Sequence, residues 1–350
     1  MKSKPQFFQS ISVVIPTYNA ANWLPDTIKH INASLSEAEF NEKSAEIIIV
    51  NDGSSDDTVR VVKNIKSKVP LRLLNQQNSG RFLARKSGIE AAKHETTLLI
   101  DSRVHIKKGS LKFAKNYHLN HPDLILWNAH VDVAKKGNIY ARFGEAIVFI
   151  GWRRYFANPR LVSYELKDFD YYPKGTTCFI APKSVLIESI EWFEKTTEDI
   201  KYSSDDTLLL RHMNEKQPIT VAPGFGCIYH SRSKLSQFIK HSYHRGKVFV
   251  DGFLRPGTRF FYPLISVYAF TLLAPLALVL IPELLKPLLL VAVIIWILEF
   301  VVAVLMKTPT KDALSLCALT PMFAIAYTAG LWWALLRKFK MIIFKKGGIL

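Results

Sequence analysis

An α/β domain followed by apolar helices is the architecture this sequence predicts, and three observations carry it. Short β-branched runs at Ile11–Ile15, Glu46–Val50 and Thr97–Asp101 alternate with amphipathic, charged stretches up to about residue 255. That alternation implies a mostly parallel sheet with right-handed crossovers. The runs are apolar throughout rather than at every second residue, as expected of strands covered on both faces. After residue 260 the composition shifts to three long stretches almost without charge.

The chain has 350 residues, 49% hydrophobic and 21% charged. This suffices for a sizeable core in about two units and excludes a disordered polyelectrolyte. Lys and Arg number 46 against 29 Asp and Glu, a net charge of +17 that suits an anionic partner. RNP-type aromatics, zinc-finger spacings and a basic zipper are missing from the sequence. Much of the excess flanks the apolar stretches, so anionic lipid is expected as the partner, and nucleic acid is not. Cys178, Cys227 and Cys317 are scattered, without a CxxC pair, and are expected to be reduced. The opening MKSKPQFFQSISVVIP has a short apolar run broken by Pro16, unlike a secretory signal. The first domain is therefore expected in the cytoplasm.

The elements follow in order. Ile11–Ile15 ends at Pro16-Thr17-Tyr18-Asn19, and a helix is expected over Trp23–Ser34. Glu46–Val50 runs into Asn51-Asp52-Gly53-Ser54-Ser55-Asp56-Asp57-Thr58, followed by a helix over Thr58–Lys66. A third helix is expected over Arg81–Lys93, a third strand over Thr97–Asp101, and a fourth at Leu124–Trp127. In open α/β sheets, ligands bind at the carboxyl ends of strands. Asp52 is placed there to accept hydrogen bonds from a base or ribose, and Gly53 permits a tight turn. Ser55 or Asp56 can cap the next helix, so an ordinary turn with an N-cap is the competing reading. With no GxGxxG after either strand, a dinucleotide oxidoreductase is disfavoured.

ISVVIPTYN and IIIVNDGSSDDT, followed by Asn78-Ser79-Gly80 and Ala84-Arg85-Lys86-Ser87-Gly88, resemble family 2 glycosyltransferases. These have the nucleotide-diphospho-sugar (GT-A) fold, a Rossmann-like sheet with flanking helices. The resemblance covers roughly residues 11–250, with Lys86 where the family has Asn. It implies that Pro16, Thr17, Tyr18, Asn19 and Asp52 line the nucleotide-sugar site, with Thr17, Tyr18 and Asp52 on the nucleoside. It brings Gly80 and Arg85 to the diphosphate, where a guanidinium fork matches phosphate geometry. A solvated helix residue is the other reading of Arg85.

The family usually carries D-x-D at the third strand end, chelating Mg²⁺ or Mn²⁺. Here Asp101 is kept and Arg103 takes the third position. Either Asp101, the diphosphate and waters hold the metal, or the Arg103 guanidinium replaces part of its charge. A structural Asp101–Arg103 ion pair is the plainer alternative. Lys174–Ile180 falls where the family often has an acceptor-lining strand. Ser203-Ser204-Asp205-Asp206, ahead of Thr207–Arg211, resembles the family's acidic motif that opens a helix and supplies the base. One register makes Asp206 the base and is preferred. The other makes Asp205 the base, with Arg211 at the arginine position. Helix capping by Ser204 or Asp205 competes with both.

His241, Tyr243, His244, Arg245 and Gly246 follow, with no QxxRW, which argues against a processive cellulose- or chitin-type synthase. His244 and Arg245 are candidates for the leaving diphosphate or the acceptor. Arg232, Lys234, Lys240, Lys247, Arg255 and Arg259 with Arg245 also make this segment a basic interfacial helix, opposed by Asp251 alone.

Phe261–Pro282, Pro287–Met306 (with Glu299 inside) and Ala313–Leu336 are the apolar stretches. About 22 uncharged residues reach roughly 33 Å as a helix, enough to span a bilayer. Two or three spans are expected. Three would put the tail RKFKMIIFKKGG opposite the first domain, against the positive-inside tendency. Pro263, Pro275 and Pro282 suit a bent or re-entrant first stretch, whereas Lys307 and Lys311 favour the opposite solution. The expected division is a catalytic domain over 1–230, a basic juxtamembrane segment over 231–260, membrane helices over 261–336 and a basic tail over 337–350.

The resemblance thus implies a membrane-anchored, inverting transferase of the bacterial inner membrane. It would move a sugar from a nucleotide-diphospho-sugar, by family habit a UDP-sugar, to a lipid-linked or polysaccharide acceptor in cell-envelope glycan synthesis. A polyprenyl-phosphate sugar synthase and a degenerate domain acting as scaffold or nucleotide-sugar sensor are the alternatives.

Overall fold

The computed structural model describes residues 7–197, 200 and 205–346, with the backbone alone at 251 and 341–346. It divides into two compact units. The first runs to Ala134 and takes in Arg154–Lys201 and Asp205–His230. The second joins Lys135–Arg153 to the chain from Ser231 onward. Lys135–Arg153 is thus a loan to the second unit from a stretch that the sequence reading leaves in the first domain.

The first unit opens with β1 (Ile11–Thr17), α1 (Leu24–Glu37), β2 (Ala45–Asp52), α2 (Thr58–Asn64), β3 (Leu71–Gln76), α3 (Arg81–Ala91) and β4 (Thr96–Ile100). β1 pairs in parallel with β2 and β4, and β2 with β3. Side chains along β1 and β2 alternate between two cores, as a pleated strand requires. Val13, Ile15, Ile47 and Ile49 pack with Ile28, Ile31 and Leu35 of α1. Val14, Ile48 and Val50 pack with Phe82, Ala84 and Ile89 of α3. Both strands are buried along their whole length, so no residue is free to be polar-out. β3 was not legible as a strand: LRLLNQ is half-buried, at the sheet edge, with no β-branched residue.

β5 (Val104–Ile106), α4 (Ser110–Asn120), β6 (Leu126–Val133), α6 (Arg153–Phe156), β7 (Val162–Tyr164), β8 (Cys178–Pro182), α7 (Lys183–Thr196), α8 (Asp205–Asn214) and β9 (Ile219–Tyr229) complete the unit. The nine strands run in the order β3-β2-β1-β4-β8-β6-β9-β5, with β7 beside β9. β8 is antiparallel to both β4 and β6, which makes the sheet mixed. This mostly parallel, helix-flanked sheet is of GT-A type.

The second unit holds α5 (Ile139–Gly151), α9 (Leu235–Phe253), α10 (Phe261–Leu280), α11 (Leu285–Leu305) and α12 (Thr310–Lys346). Three of its helices are long and apolar enough to cross a membrane: Phe261–Leu280, Pro282–Leu305 and Thr310–Lys340. α10 is continuous rather than bent back. Pro263 lies in its first turn, where a missing N–H costs little, and the helix passes through Pro275.

Candidate functional site

Gly80, at φ 96°, turns the chain into α3, and Arg81 and Arg85 follow one helical turn apart on one face. Three carboxylates meet them. Arg85 donates from Nη1 to Asp206 Oδ1 at 2.6 Å and to Asp205 Oδ2 at 3.1 Å, and from Nη2 to Asp101 Oδ1 at 3.0 Å. Arg81 Nη2 reaches Asp205 at 3.2 Å and Asp206 at 3.4 Å. Thr176 Oγ1 donates to Asp206 at 2.6 Å. Asp101 follows β4, Asp205 and Asp206 open α8, and Thr176 precedes β8, so these ends converge on the start of α3.

Arg85 is buried and Arg81 half-exposed. Arg85 Nε has no hydrogen-bond partner among the described residues. The two aspartates differ. Burial, and then the neighbouring Asp206 charge, push the Asp205 carboxyl above the usual range. Burial also acts on Asp206, but the Arg81 and Arg85 charges outweigh it and hold that group below the ordinary range. Asp205 is nearly enclosed, while a quarter of the Asp206 side chain is open. The alternative in which Ser204 caps this helix lies outside the described residues.

Beside this cluster, the two sequence motifs are stitched together. Asp52 is buried and accepts from Gln76 Nε2 at 2.8 Å, Ser79 N at 2.8 Å and Gly80 N at 2.9 Å. Its two oxygens have roughly four lone-pair sites, which leaves one for a further donor. Gly53, at φ 71°, lies so close to Asn78 that a Cβ would sit 2.8 Å from its backbone N. Asn19, at φ 49°, receives a bond from Ser55 N at 2.8 Å and donates from its own N to Ser54 at 2.9 Å. Pro16 and Thr17 are buried in β1, and Tyr18 is 53% exposed. The strand-end loops are therefore fixed, with one aromatic ring presented to solvent.

Arg103 lies 5.2 Å over the Trp23 ring, and Asp101 pairs with Arg85. Asp101 is thus one carboxylate engaged by a guanidinium, with a cation two residues on. Among the described residues, no group of three or more His, Cys, Asp or Glu could hold a metal ion. This donor set does not fit a protein-held divalent cation.

Lys86, where the resemblance departs, binds Glu194 of α7 at 2.7 and 2.9 Å. Arg211 pairs with Asp170 at 2.9 Å and lies over Phe169, in the same unit as the cluster but bonded elsewhere. His244 and Arg245 are exposed on α9, in the second unit. Arg81 is the residue that sequence reasoning missed. Its spacing of four from Arg85 was the signal available. Thr176 was visible only as part of a strand.

The glycosyl transferase family 2 model matches residues 12–172, from β1 to just short of Thr176. Three curated relatives illustrate the likeness. Poly(ribitol-phosphate) beta-N-acetylglucosaminyltransferase TarS of Staphylococcus aureus is 29% identical over 118 residues, 33% of this chain and 20% of that protein. Poly-beta-1,6-N-acetyl-D-glucosamine synthase of Staphylococcus epidermidis is 32% identical over 103 residues, 29% of this chain and 24% of the relative. A dolichyl-phosphate beta-glucosyltransferase of Trichomonas vaginalis is 38% identical over 96 residues, 26% of this chain and 30% of the relative. The chain therefore aligns with less than a third of each. A mannosyltransferase of Pyrobaculum calidifontis, solved with GDP-mannose and Mn²⁺, superposes with a TM-score of 0.57 at 15% identity. It covers 94% of this chain and 89% of that one, a likeness of fold. Strand-end motifs, sheet order and the matched segment agree: residues 12–172 are a domain of glycosyl transferase family 2.

Proposed function

We propose that the chain is a membrane-anchored, inverting glycosyltransferase. It moves a sugar from a nucleotide-diphospho-sugar, UDP-linked by family habit, to a lipid-linked or glycan acceptor in envelope glycan synthesis. One observation supports this above the rest: two arginines face three carboxylates at the carboxyl ends of the strands.

The donor's diphosphate is an anion with fork-like oxygens, and Arg81 and Arg85 are the guanidinium pair within reach of the cluster. Bringing the diphosphate to them transfers their charge from Asp205 and Asp206 to the leaving group. That does two things. It stabilises the charge that grows on the diphosphate as the glycosidic bond breaks. It also strips Asp206 of the cations that keep it acidic, so its affinity for a proton rises. Asp206, the more open of the pair, then takes the acceptor hydroxyl proton as that oxygen attacks the sugar carbon. Thr176 holds the carboxylate in place. Asp205, enclosed and raised, is the positioning partner. Thr17, Tyr18, Asn19 and Asp52 flank the nucleoside. His244 and Arg245 are kept as candidates on the acceptor side. The arginines serve here as the diphosphate's counter-charge, and a divalent cation is not required.

The test is calorimetric titration of UDP into the detergent-purified protein, with Mn²⁺ and with EDTA. Equal binding in EDTA is the expected result. Binding only with Mn²⁺ overturns the arginine role, and silence with UDP, GDP and dTDP alike overturns the donor site.

A second reading draws on the dolichyl-phosphate beta-glucosyltransferase likeness. There the acceptor is a polyprenyl phosphate, which needs no deprotonation. Asp206→Asn separates the two: loss of turnover with donor binding kept marks a hydroxyl acceptor, and retained turnover marks a phosphate.

A further inference from the structure

Length and composition admit three spans, yet the packing within the second unit treats them differently. α9 and α12 run side by side in the same direction. Phe238 of α9 packs with Leu316 and Leu319 of α12, and Val250 with Leu331 and Ala334. At the crossing, Gly246 and Gly330 meet so closely that a Cβ on Gly246 would lie 2.1 Å from Tyr327 O. A Cβ on Gly330 would lie 2.2 Å from Tyr243 O. α12 therefore shares the orientation of α9. α9 carries Lys240, His241, His244, Arg245 and Lys247 along that contact. A helix with that charge lies at a membrane surface rather than through it.

The other contacts of α12 agree. Its first half touches the last turns of α11: Trp296 Nε1 donates to Cys317 O at 2.8 Å, and Thr320 Oγ1 to Glu299 at 2.6 Å. Its second half touches the first turns of α10: Tyr268 Oη donates to Leu331 O at 2.9 Å, and Trp332 Nε1 to Thr271 Oγ1 at 3.0 Å. The remote ends of α10 and α11 stay bare, with Val279 78%, Leu280 71% and Leu289 57% exposed. A third span would line α11 along its length. α12 instead lies across the near ends of both. At its start, buried Asp312 is held by Lys135 at 2.9 Å and Arg142 of α5 at 2.8 Å. The opposite side of α12 presents Leu314, 55% exposed, and Ile325, 74% exposed.

We propose that α10 and α11 form a two-span hairpin, and that α12 lies with α5 and α9 in the plane of the bilayer surface as a platform on an anionic leaflet. The proposal rests on the reading that the second unit is membrane-embedded. It leaves the C-terminal part of α12 on the platform face, where Lys234, Lys240, Lys307, Lys311, Lys338 and Lys340 are exposed. The remote turn between the two spans carries Glu283 and Lys286, one charge of each sign. That asymmetry is the positive-inside pattern, reached without bending α10 back.

The test uses the full chain with single cysteines at exposed positions, Glu283→Cys, Lys311→Cys and Phe339→Cys. The native cysteines are buried, and the unsubstituted chain is the blank. An impermeant maleimide is applied to intact and to permeabilised bacterial cells. Glu283→Cys reacting from the side opposite to Lys311→Cys and Phe339→Cys is expected. Phe339→Cys reacting from the same side as Glu283→Cys overturns the hairpin in favour of three spans. As a second readout, a fluorophore on Ile325→Cys should be quenched by lipids spin-labelled near the headgroup. Stronger quenching by labels at the chain terminus overturns the in-plane placement. Release of the whole protein by alkaline carbonate overturns the membrane reading itself, whichever way the cysteines label.

Discussion

Arg85 is one guanidinium answering three carboxylates, and under the proposed function a bound diphosphate competes with all of them. The competition has a measurable sign. In the unliganded protein, Arg81 and Arg85 hold Asp206 below the ordinary carboxylate range. Once they turn to the diphosphate, the group binds a proton more readily. The acidic limb of kcat/KM reports the free enzyme and that of kcat reports the bound complex. The kcat limb is therefore expected at the higher pH, and coincident limbs in the two profiles would refute the exchange of partners. Asp206→Asn should lower kcat by roughly 10²–10⁴ while leaving UDP affinity nearly unchanged. Much of this was legible in the sequence, because Asp52, Arg85, Asp101 and the acidic pair stand at recognisable spacings. What was not legible is which charge meets which. Arg103 lies over the Trp23 ring, and Arg81, which the spacing had not singled out, joins the cluster. Pairing depends on side-chain reach across separate elements, which spacing alone does not encode.

A second residue-scale effect arises at a cluster of three imidazoles. His105 lies 4.4 Å from His30 and 4.2 Å from His230 between ring centres, with His230 Nε2 3.0 Å from His105 Nδ1. Burial, then the His230 and His30 charges, lower His105 to about 4. Folded pKa lies below unfolded pKa, so the stabilisation is present above about pH 6.5 and fades as pH falls towards 4. Asp205, raised instead, works the other way on acidification. The thermal midpoint of the native chain should fall between pH 6.5 and pH 4, and His105→Gln should flatten that dependence.

Among elements, close approach decides tolerance. A Cβ on Gly88 would lie 2.3 Å from Val14 Cγ1, because α3 rests directly on β1. Gly246 and Gly330 do the same between α9 and α12. Gly88→Val and Gly246→Val should each cost about 1–3 kcal/mol or more by overpacking, read as a drop in thermal midpoint. Asp312→Asn should cost about 2–3 kcal/mol. It strips a buried partner from Lys135 and Arg142, whose side chains are 29% and 24% exposed and so recover part of the loss in water. Strands β1, β2 and β4 were legible because full burial demands unbroken apolar runs. β3 was not, since an edge strand is free to be LRLLNQ. α12 was legible as an apolar helix, but the in-plane placement proposed for it was not, because that depends on its neighbours.

For the whole molecule, the proposed platform face would give the net charge of +17 its outlet. Transfer to a lipid-linked acceptor should be faster in vesicles rich in anionic lipid than in zwitterionic ones. The difference should shrink as salt is raised past physiological strength, because exposed charges are screened within about 8 Å there. Equal rates in both vesicle types would detach the charge from the activity.

The loan of Lys135–Arg153 to the second unit has a consequence in time. Arg142 and Asp312, which bind each other, are 170 residues apart. At 5–20 residues per second, the ribosome makes α5 wait roughly 10–30 s for its partner. Throughout that interval Phe143 and Ala146, buried in the finished protein, face water or a chaperone. Biogenesis of this protein therefore has a vulnerable window set by gene order. A chain ending after His230 never leaves it: such a chain should self-associate on gel filtration, and Phe143→Lys with Ile147→Glu should return it to a monomer.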